Sequence, residues 1–373
     1  MIALTRTDTS LVGQWWWTID RWTVVAVAVL IGFGGLLALA ASPAVAARLN
    51  VDPFYFAARQ MAFYAPALLV MFAVSLMTPH HVRRLALVVF GGSVILLVAT
   101  FFVGVDVKGA RRWIDLGLVT IQPSEFIKPS FVVITAWLFA AHRNQENSNG
   151  NLICMALFAL VAGLLVMQPD IGMTAVVSTV WFCQFVLAGL ALQWIAGFVV
   201  LGTGAMIGAY FLLPHVTSRV DRYLDPSSGD SYQVNRSLEA FMNGGLFGRG
   251  PGEGNIKSVL PDAHSDFIFA VAGEELGVLV CLLIVALFAI VVLRGLSRAL
   301  RENSLFVMLA SAGLAVQFGL QAAINMGSSL RLIPAKGMTL PFISYGGSSL
   351  LAVALTIGML LALTRRRVGQ DIS

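Results

Sequence analysis

Thr23-Val-Val-Ala-Val-Ala-Val-Leu-Ile-Gly-Phe-Gly-Gly-Leu-Leu-Ala-Leu-Ala-Ala-Ser42 carries no charged side chain. A bilayer core about 30 Å thick is crossed by a helix of about 20 such residues. Similar segments recur near 60–78, 83–103, 124–141, 152–168, 171–189, 192–213, 267–293, 304–326 and 341–364. The composition agrees: 58% of the 373 residues are hydrophobic and 12% charged, and mean hydropathy is +0.84. Soluble chains carry about 25% charged residues. In lipid every backbone N–H and C=O must be paired within the protein, which favours helices. Strands of a barrel would alternate at period two, and these segments do not. The expected fold is all-α: a polytopic membrane protein of about ten transmembrane helices, with a long outer-face loop between spans 7 and 8.

Residues 1–22 read as a cytoplasmic or interfacial N-terminus, 23–364 as the membrane domain and 365–373 as a cytoplasmic tail. Trp15, Trp16, Trp17 and Trp22 mark the interface before the first span. An even number of spans puts both ends on one side. Lys and Arg divide almost equally between the two sides. The run Arg365–Arg367, directly after the last span, favours termini inside. The outer face then carries a cationic excess that suits an anionic ligand. Net charge is +5, which in a membrane protein points to headgroups or an anionic substrate, not to nucleic acid. Cys154, Cys183 and Cys281 lie in apolar stretches and suggest neither disulfides nor a metal motif. The outer loops are 104–123 and 214–266. Within the second, Ser231 to Asn243 reads as a short amphipathic helix on the membrane, and Gly244 to Gly254 as a turn back toward the eighth span.

Ionisable residues at membrane depth are costly and mark candidate sites. Glu125 and Lys128 share one face of the fourth span, either as a neutralising pair or in contact with substrate. Asp170, after Gln168-Pro169, suits a helix cap. At least one of Glu274 and Glu275 should pair with a basic residue across the bundle. Asp262, His264 and Asp266 stand at the mouth of the eighth span. Spacing alone favours an N-cap carboxylate for Asp266; a carboxylate beside an apolar surface also suits a general base. Gly252-Glu-Gly-Asn-Ile-Lys257 lacks the Walker pattern and is a weak phosphate signal.

Five blocks carry a resemblance. They are Lys108-Gly-Ala-Arg-Arg-Trp-Ile114, Gln122-Pro-Ser-Glu-Phe-Ile-Lys128 and Gln168-Pro-Asp-Ile-Gly172, followed by two longer ones. The fourth is Gly248-Arg-Gly-Pro-Gly-Glu-Gly254, running on to Leu260-Pro-Asp-Ala-His-Ser-Asp-Phe-Ile-Phe-Ala-Val-Ala-Gly-Glu-Glu-Leu-Gly277. The fifth is Pro334-Ala-Lys-Gly-Met-Thr-Leu-Pro-Phe-Ile-Ser-Tyr-Gly-Gly-Ser-Ser349. In this order they resemble the SEDS proteins (shape, elongation, division and sporulation), the FtsW/RodA family. The last two blocks read more like its division branch than its elongation branch. Ser265 stands where the family often has threonine.

The resemblance implies a peptidoglycan glycosyltransferase that polymerises lipid II at the outer face of the bacterial cytoplasmic membrane, at the division septum. It implies partners: lipid II, undecaprenyl-pyrophosphate-linked glycan, a class B penicillin-binding protein (an FtsI-like transpeptidase) and other divisome membrane proteins. Asp266 falls on the family's catalytic aspartate. The cations expected near the pyrophosphate are Lys108, Arg111, Arg112, Lys257 and Lys336, with Arg112 foremost because arginine grips phosphate bidentately. Glu253, His264 and Ser344 are further substrate-binding candidates. Gln122, Glu125, Lys128, Asp170, Glu274 and Glu275 are expected to support the cavity. A divalent cation (Mg2+ or Mn2+) has a place beside the pyrophosphate, and no organic cofactor is implied. Inverting displacement needs one carboxylate, because pyrophosphate leaves readily; glycosidases commonly need two. A flippase of lipid-linked precursors fits the general features equally, but no inverted repeat is visible. A non-catalytic scaffold for the penicillin-binding protein is the third reading.

Overall fold

The computed structural model describes residues 10–107, 110–117, 119–144, 149–189, 192–213, 216–218, 220–221, 232–334 and 337–366. α1 (Leu11–Thr18) is capped by Ser10, whose Oγ accepts from Gly13 N at 3.0 Å. α2 (Arg21–Leu49), α3 (Tyr55–Ser75) and α4 (Pro79–Val103) run back and forth, followed by α5 (Pro123–Asn144), α6 (Gly150–Met167), α7 (Ile171–Leu187) and α8 (Leu192–Leu212). A short α9 (Tyr232–Gly244) precedes α10 (Ile268–Ala299), α11 (Leu305–Ser329) and α12 (Gly347–Leu363). End-to-end contacts fix the directions. Trp15 Nε1 donates to Ser75 Oγ at 2.7 Å, so α1 meets the end of α3. Arg48 Nη2 donates to the Leu260 carbonyl at 2.8 Å, so α2 ends at the opposite face. Arg366 N donates to Thr18 O at 3.0 Å, which brings the two described chain ends together at one face.

Among the described residues, α2 to α6, α10 and α11 are long and apolar enough to cross a membrane. α7, Ala196–Leu212 within α8, and α12 are shorter apolar helices. This is a multi-pass membrane protein. α5 and α11 are central: 83% and 67% of their apolar windows are buried, against 22% for α4 and for α6. Polar side chains on α5 and α11 therefore meet protein rather than lipid.

Three elements depart from expectation. α2 runs beyond 42, through Pro43, to Leu49; neighbouring helices in a bundle let a membrane helix tolerate a proline. α12 starts at Gly347 rather than 341, because residues 338–345 run as irregular buried chain. Side chains take its carbonyls: Tyr64 Oη donates to Phe342 O at 2.8 Å and Gln60 Nε2 to Ser344 O at 3.2 Å. Irregular backbone at this depth requires such partners. The loop 104–123 contains a small antiparallel sheet of β1 (Val105–Val107), β2 (Ala110–Asp115) and β3 (Thr120–Ile121), in the order β1-β2-β3. Alternation explains it, since Ala110 and Ile114 point inward while Arg111 and Asp115 are exposed.

α10 is broken at Gly277, whose φ is 81°. Val278 N and Leu279 N donate to Gly245 O and Leu246 O at 3.0 and 3.3 Å. Arg249 N and Gly250 N donate to the Glu274 and Glu275 carbonyls, both at 3.0 Å. The glycine-rich turn thus repairs the break. Only glycine fits at the crossing, since a Cβ at 277 would lie 2.4 Å from Gly248 N. α9 forms where an amphipathic helix was expected, and Ser237, Ala240 and Gly244 are its buried positions. Cys154, Cys183 and Cys281 are free thiols.

Candidate active site

At the face opposite the Thr18–Arg366 contact lies a cavity of about 870 Å³. β2, the starts of α3, α5, α7, α9 and α12, residues 331–334 and 337–339 and the turn before α10 enclose it. Asp266 stands in that turn, half-buried, and lines the cavity. Asp262 takes positive φ (53°), and its carbonyl collects Ser265 N, Asp266 N and Phe267 N at 3.1, 3.1 and 3.3 Å. Phe267, not Asp266, occupies the N-cap of α10. The capping role that spacing alone favoured for Asp266 thus falls one residue short.

Three successive carbonyls of this turn are held from across the bundle. Tyr345 N donates to His264 O at 2.9 Å, Ser344 Oγ to Ser265 O at 2.6 Å, and Asn325 Nδ2 to Asp266 O at 2.9 Å. Asn325 also donates to Met338 O, tying the turn to residues 337–339. Gly337 meets the Asp266 carboxylate directly. A Cβ there would lie 2.9 Å from Oδ2, and its φ is +62°. The backbone under Asp266 is therefore fixed while its carboxylate faces the cavity.

His264 also lines the cavity, between Phe56 and Tyr345 at ring-centroid distances of 4.7 and 5.3 Å. Burial pushes its imidazole down to about 4; Asp262 pulls the other way and Arg48 adds a smaller downward push. It is neutral near pH 7, and its Nδ1 is buried without a partner. Among the described residues the cavity's cations are Arg59, Arg112 and Arg331. Arg112 Nε and Nη2 donate to Gln168 O and Pro169 O at 3.1 and 2.6 Å, and Nη1 lies 3.7 Å from Asp170 Oδ2. The foremost pyrophosphate candidate thus also ties β2 to the α6–α7 junction. Asp170 caps α7 by accepting from Met173 N at 3.1 Å, as its position suggested. Glu125 reaches the cavity and pairs with Lys128 at 2.9 Å. Lys128 Nζ donates to Gln321 Oε1 at 2.8 Å, and Gln321 donates to Thr339. Gln122 lines the cavity, and its N donates to Ser348 Oγ.

Other expected substrate contacts are used differently. Lys257 is buried away from the cavity, with Nζ 2.6 Å from Glu275 Oε1 and 2.7 Å from Gly252 O. Its charge is consumed in holding the glycine-rich turn. Glu275 also accepts from Gly252 N, and Glu274 accepts from Asn255 N and Ile256 N. Glu253 and Arg111 are exposed and do not line the cavity. Ser344 is buried as a backbone clamp. Lys108 and Lys336 lie outside the described residues. Arg59 and Arg331, which are not among the cations expected near the pyrophosphate, line the cavity too. Gln317, Gln321 and Asn325 form an i, i+4 polar stripe on an otherwise apolar span, the signal that would have found the clamp. Among the described residues, no three His, Cys, Asp or Glu side chains converge as a metal cage.

Comparison with known proteins follows this geometry. The family model described as "Cell cycle protein", covering FtsW, RodA and SpoVE, matches residues 21–368. The probable peptidoglycan glycosyltransferase FtsW of Caulobacter vibrioides is 44% identical over 98% of this chain and 94% of its own length. That of Coxiella burnetii is 35% identical over 92% and 96%. Among solved structures, a chain from work on polymerization and crosslinking by a peptidoglycan synthase complex aligns with a TM-score of 0.77 and 27% identity, over 93% of this chain and 97% of the other. The rod shape determining protein RodA of Thermus thermophilus aligns with a TM-score of 0.69 and 26% identity, over 94% and 97%.

Proposed function

The chain belongs to the FtsW/RodA/SpoVE family of cell cycle proteins, and on that premise we propose that it is a peptidoglycan glycosyltransferase that polymerises lipid II with Asp266 as general base. The carrying observation is the cavity in which the Asp266 carboxylate is presented together with Arg59, Arg112 and Arg331. The acceptor 4-hydroxyl attacks C1 of the donor sugar, and the new C1–O bond forms as the bond to undecaprenyl pyrophosphate breaks. Asp266 takes the hydroxyl proton. The pyrophosphate leaves with the bonding electrons, and the arginines stabilise its charge. Backside attack turns an α-linked donor into a β-linked product. Neutral His264 forms part of the wall and adds no charge. A divalent cation would be carried by the pyrophosphate with one or two carboxylates, as Mg2+ sites commonly are; no step is assigned to it.

The ten apolar helices span the cytoplasmic membrane with both termini inside, which sets the cavity at the outer face. The partner is a class B penicillin-binding protein, and the setting is the division septum, in keeping with relatives named FtsW. The test is polymerisation of labelled lipid II by the purified protein with its cognate penicillin-binding partner, beside Asp266→Asn shown to fold and bind that partner. Activity that vanishes in the variant is the expected result. Equal activity in both removes Asp266 from catalysis. No activity in either, with the partner bound, favours a flippase or scaffold.

A further inference from the structure

The face where Arg366 meets Thr18 holds a second cavity, of about 440 Å³. Four guanidinium groups line it: Arg294, Arg298 and Arg301 around the end of α10, and Arg366 after α12. One lining carboxylate, Glu302, accompanies them. Beside the cavity Asp20 is buried at the start of α2 and ties two of the arginines. Arg294 grips it bidentately, Nε and Nη2 each 2.8 Å from a carboxylate oxygen, and Arg298 Nε lies at 3.3 Å. Burial pushes the Asp20 carboxyl up, but Arg294, Arg298 and Thr23 more than reverse this and leave it below its ordinary value. Asp20 is thus fully committed as a carboxylate. Among the described residues no ion pair reaches Arg301 or Arg366. Among the described residues, four arginines against Asp20 and Glu302 leave an excess of positive charge in one concavity. Like charges so placed are costly unless an anion joins them.

The surroundings specify the anion. The guanidinium fork matches phosphate oxygens. Trp15, Trp16 and Trp17 of α1 stand at the same face, with Arg21 stacked 4.0 Å over Trp17. Clustered tryptophans are typical of headgroup depth. Leu293 lines the cavity yet is 65% exposed, and Leu300 beyond it is 64% exposed. A charged pocket opening onto an apolar flank suits an amphiphile better than a free ion. We propose that this cavity binds the phosphate headgroup of an anionic phospholipid whose acyl chains lie along the Leu293 side of α10. The site is independent of the reaction assigned to the opposite face. It would hold the start of α2, the end of α10 and Arg366 after α12 together at the membrane surface.

The experiment uses the delipidated full-length protein, titrated with phosphatidylglycerol or phosphatidylcholine and read by native mass spectrometry. The wild type should retain phosphatidylglycerol in preference to phosphatidylcholine. Arg301→Gln with Arg366→Gln leaves the Asp20 pairs intact and should weaken retention about tenfold or more. Arg83→Gln with Arg84→Gln, a basic pair outside the cavity, should leave retention unchanged. Millimolar inorganic phosphate should fail to displace the lipid. Equal retention of the two lipids by the wild type would overturn the proposal without recourse to any variant. So would equal loss in the two double variants, which would mean diffuse surface charge. Displacement by inorganic phosphate alone would make the ligand a soluble anion and overturn the lipid assignment.

Discussion

Asp266 and the pair Glu274–Glu275 belong to one uninterrupted block of sequence, yet they live in opposite circumstances. Both glutamates are fully buried, and every partner they have is protein: backbone N–H groups of the glycine-rich turn and the Lys257 ammonium. Around Asp266 the clamps grip the backbone carbonyls of residues 264–266, while the carboxylate lines an open cavity. An acid at membrane depth is therefore not by itself a sign of chemistry. What separates the two cases is where the hydrogen bonds go. A carboxylate saturated by its own protein holds structure. One that lines an open cavity, on a backbone held from across the bundle, can meet a substrate.

The widest separation should appear in paired substitutions. Asp266→Asn should lower lipid II polymerisation by about 10³-fold, within the range of general-base contributions. The substitution keeps shape and volume, so stability should fall by no more than about 1.5 kcal/mol, the upper worth of an ordinary hydrogen bond. Glu275→Ala leaves the buried Lys257 ammonium without its carboxylate. It should cost about 3–5 kcal/mol of stability, as loss of one member of a buried pair does. If Glu275→Ala melts like the wild type but cannot polymerise, the distinction between the two regions collapses.

A third test concerns His264. Its folded pKa lies at about 4, below the ordinary 6.5. The unfolded chain therefore binds more protons between those values, so stability falls as the pH drops below 6.5 and levels off near 4. The full loss is about 3 kcal/mol. Melting temperatures measured from pH 7 to pH 4 should show this slope, and His264→Gln should flatten it. An unchanged slope would mean that the imidazole is not held neutral by burial.

The smallest effect sharpens the contrast at a single contact. Gly337→Ala would set a Cβ 2.9 Å from Asp266 Oδ2, at a backbone φ of +62°. The conformation costs about 1–2 kcal/mol for a residue with a Cβ. What must move is the tip of the Asp266 side chain at the cavity wall, not a packed core. Polymerisation should drop about tenfold, as for a shift of a catalytic group costing about 1.4 kcal/mol, with the fold intact and partner binding unchanged. Activity equal to the wild type would show that Asp266 need not hold this position.

The helices were legible because lipid imposes a local rule: about 20 apolar residues must pair their own backbone groups. Helix ends were less legible. α2 continues through Pro43 and α12 begins late, and both depend on neighbouring helices rather than on local composition. Lys257 shows the same limit for the site. It was expected near the pyrophosphate, and only the return of Glu275 through the broken α10 shows that its charge is already taken.

By itself, the sequence determined the membrane class, the approximate positions of the apolar helices, the family resemblance and the singling out of Asp266. Each follows from local hydropathy or from contiguous motifs. The tertiary structure decided which charges are spent and which are presented. Arg59, Arg112 and Arg331 come from three separate regions yet share one cavity, and Asn325 reaches across the bundle to fix Asp266. The physical reason is that a buried polar group is defined by its partners, and those partners lie far away in sequence.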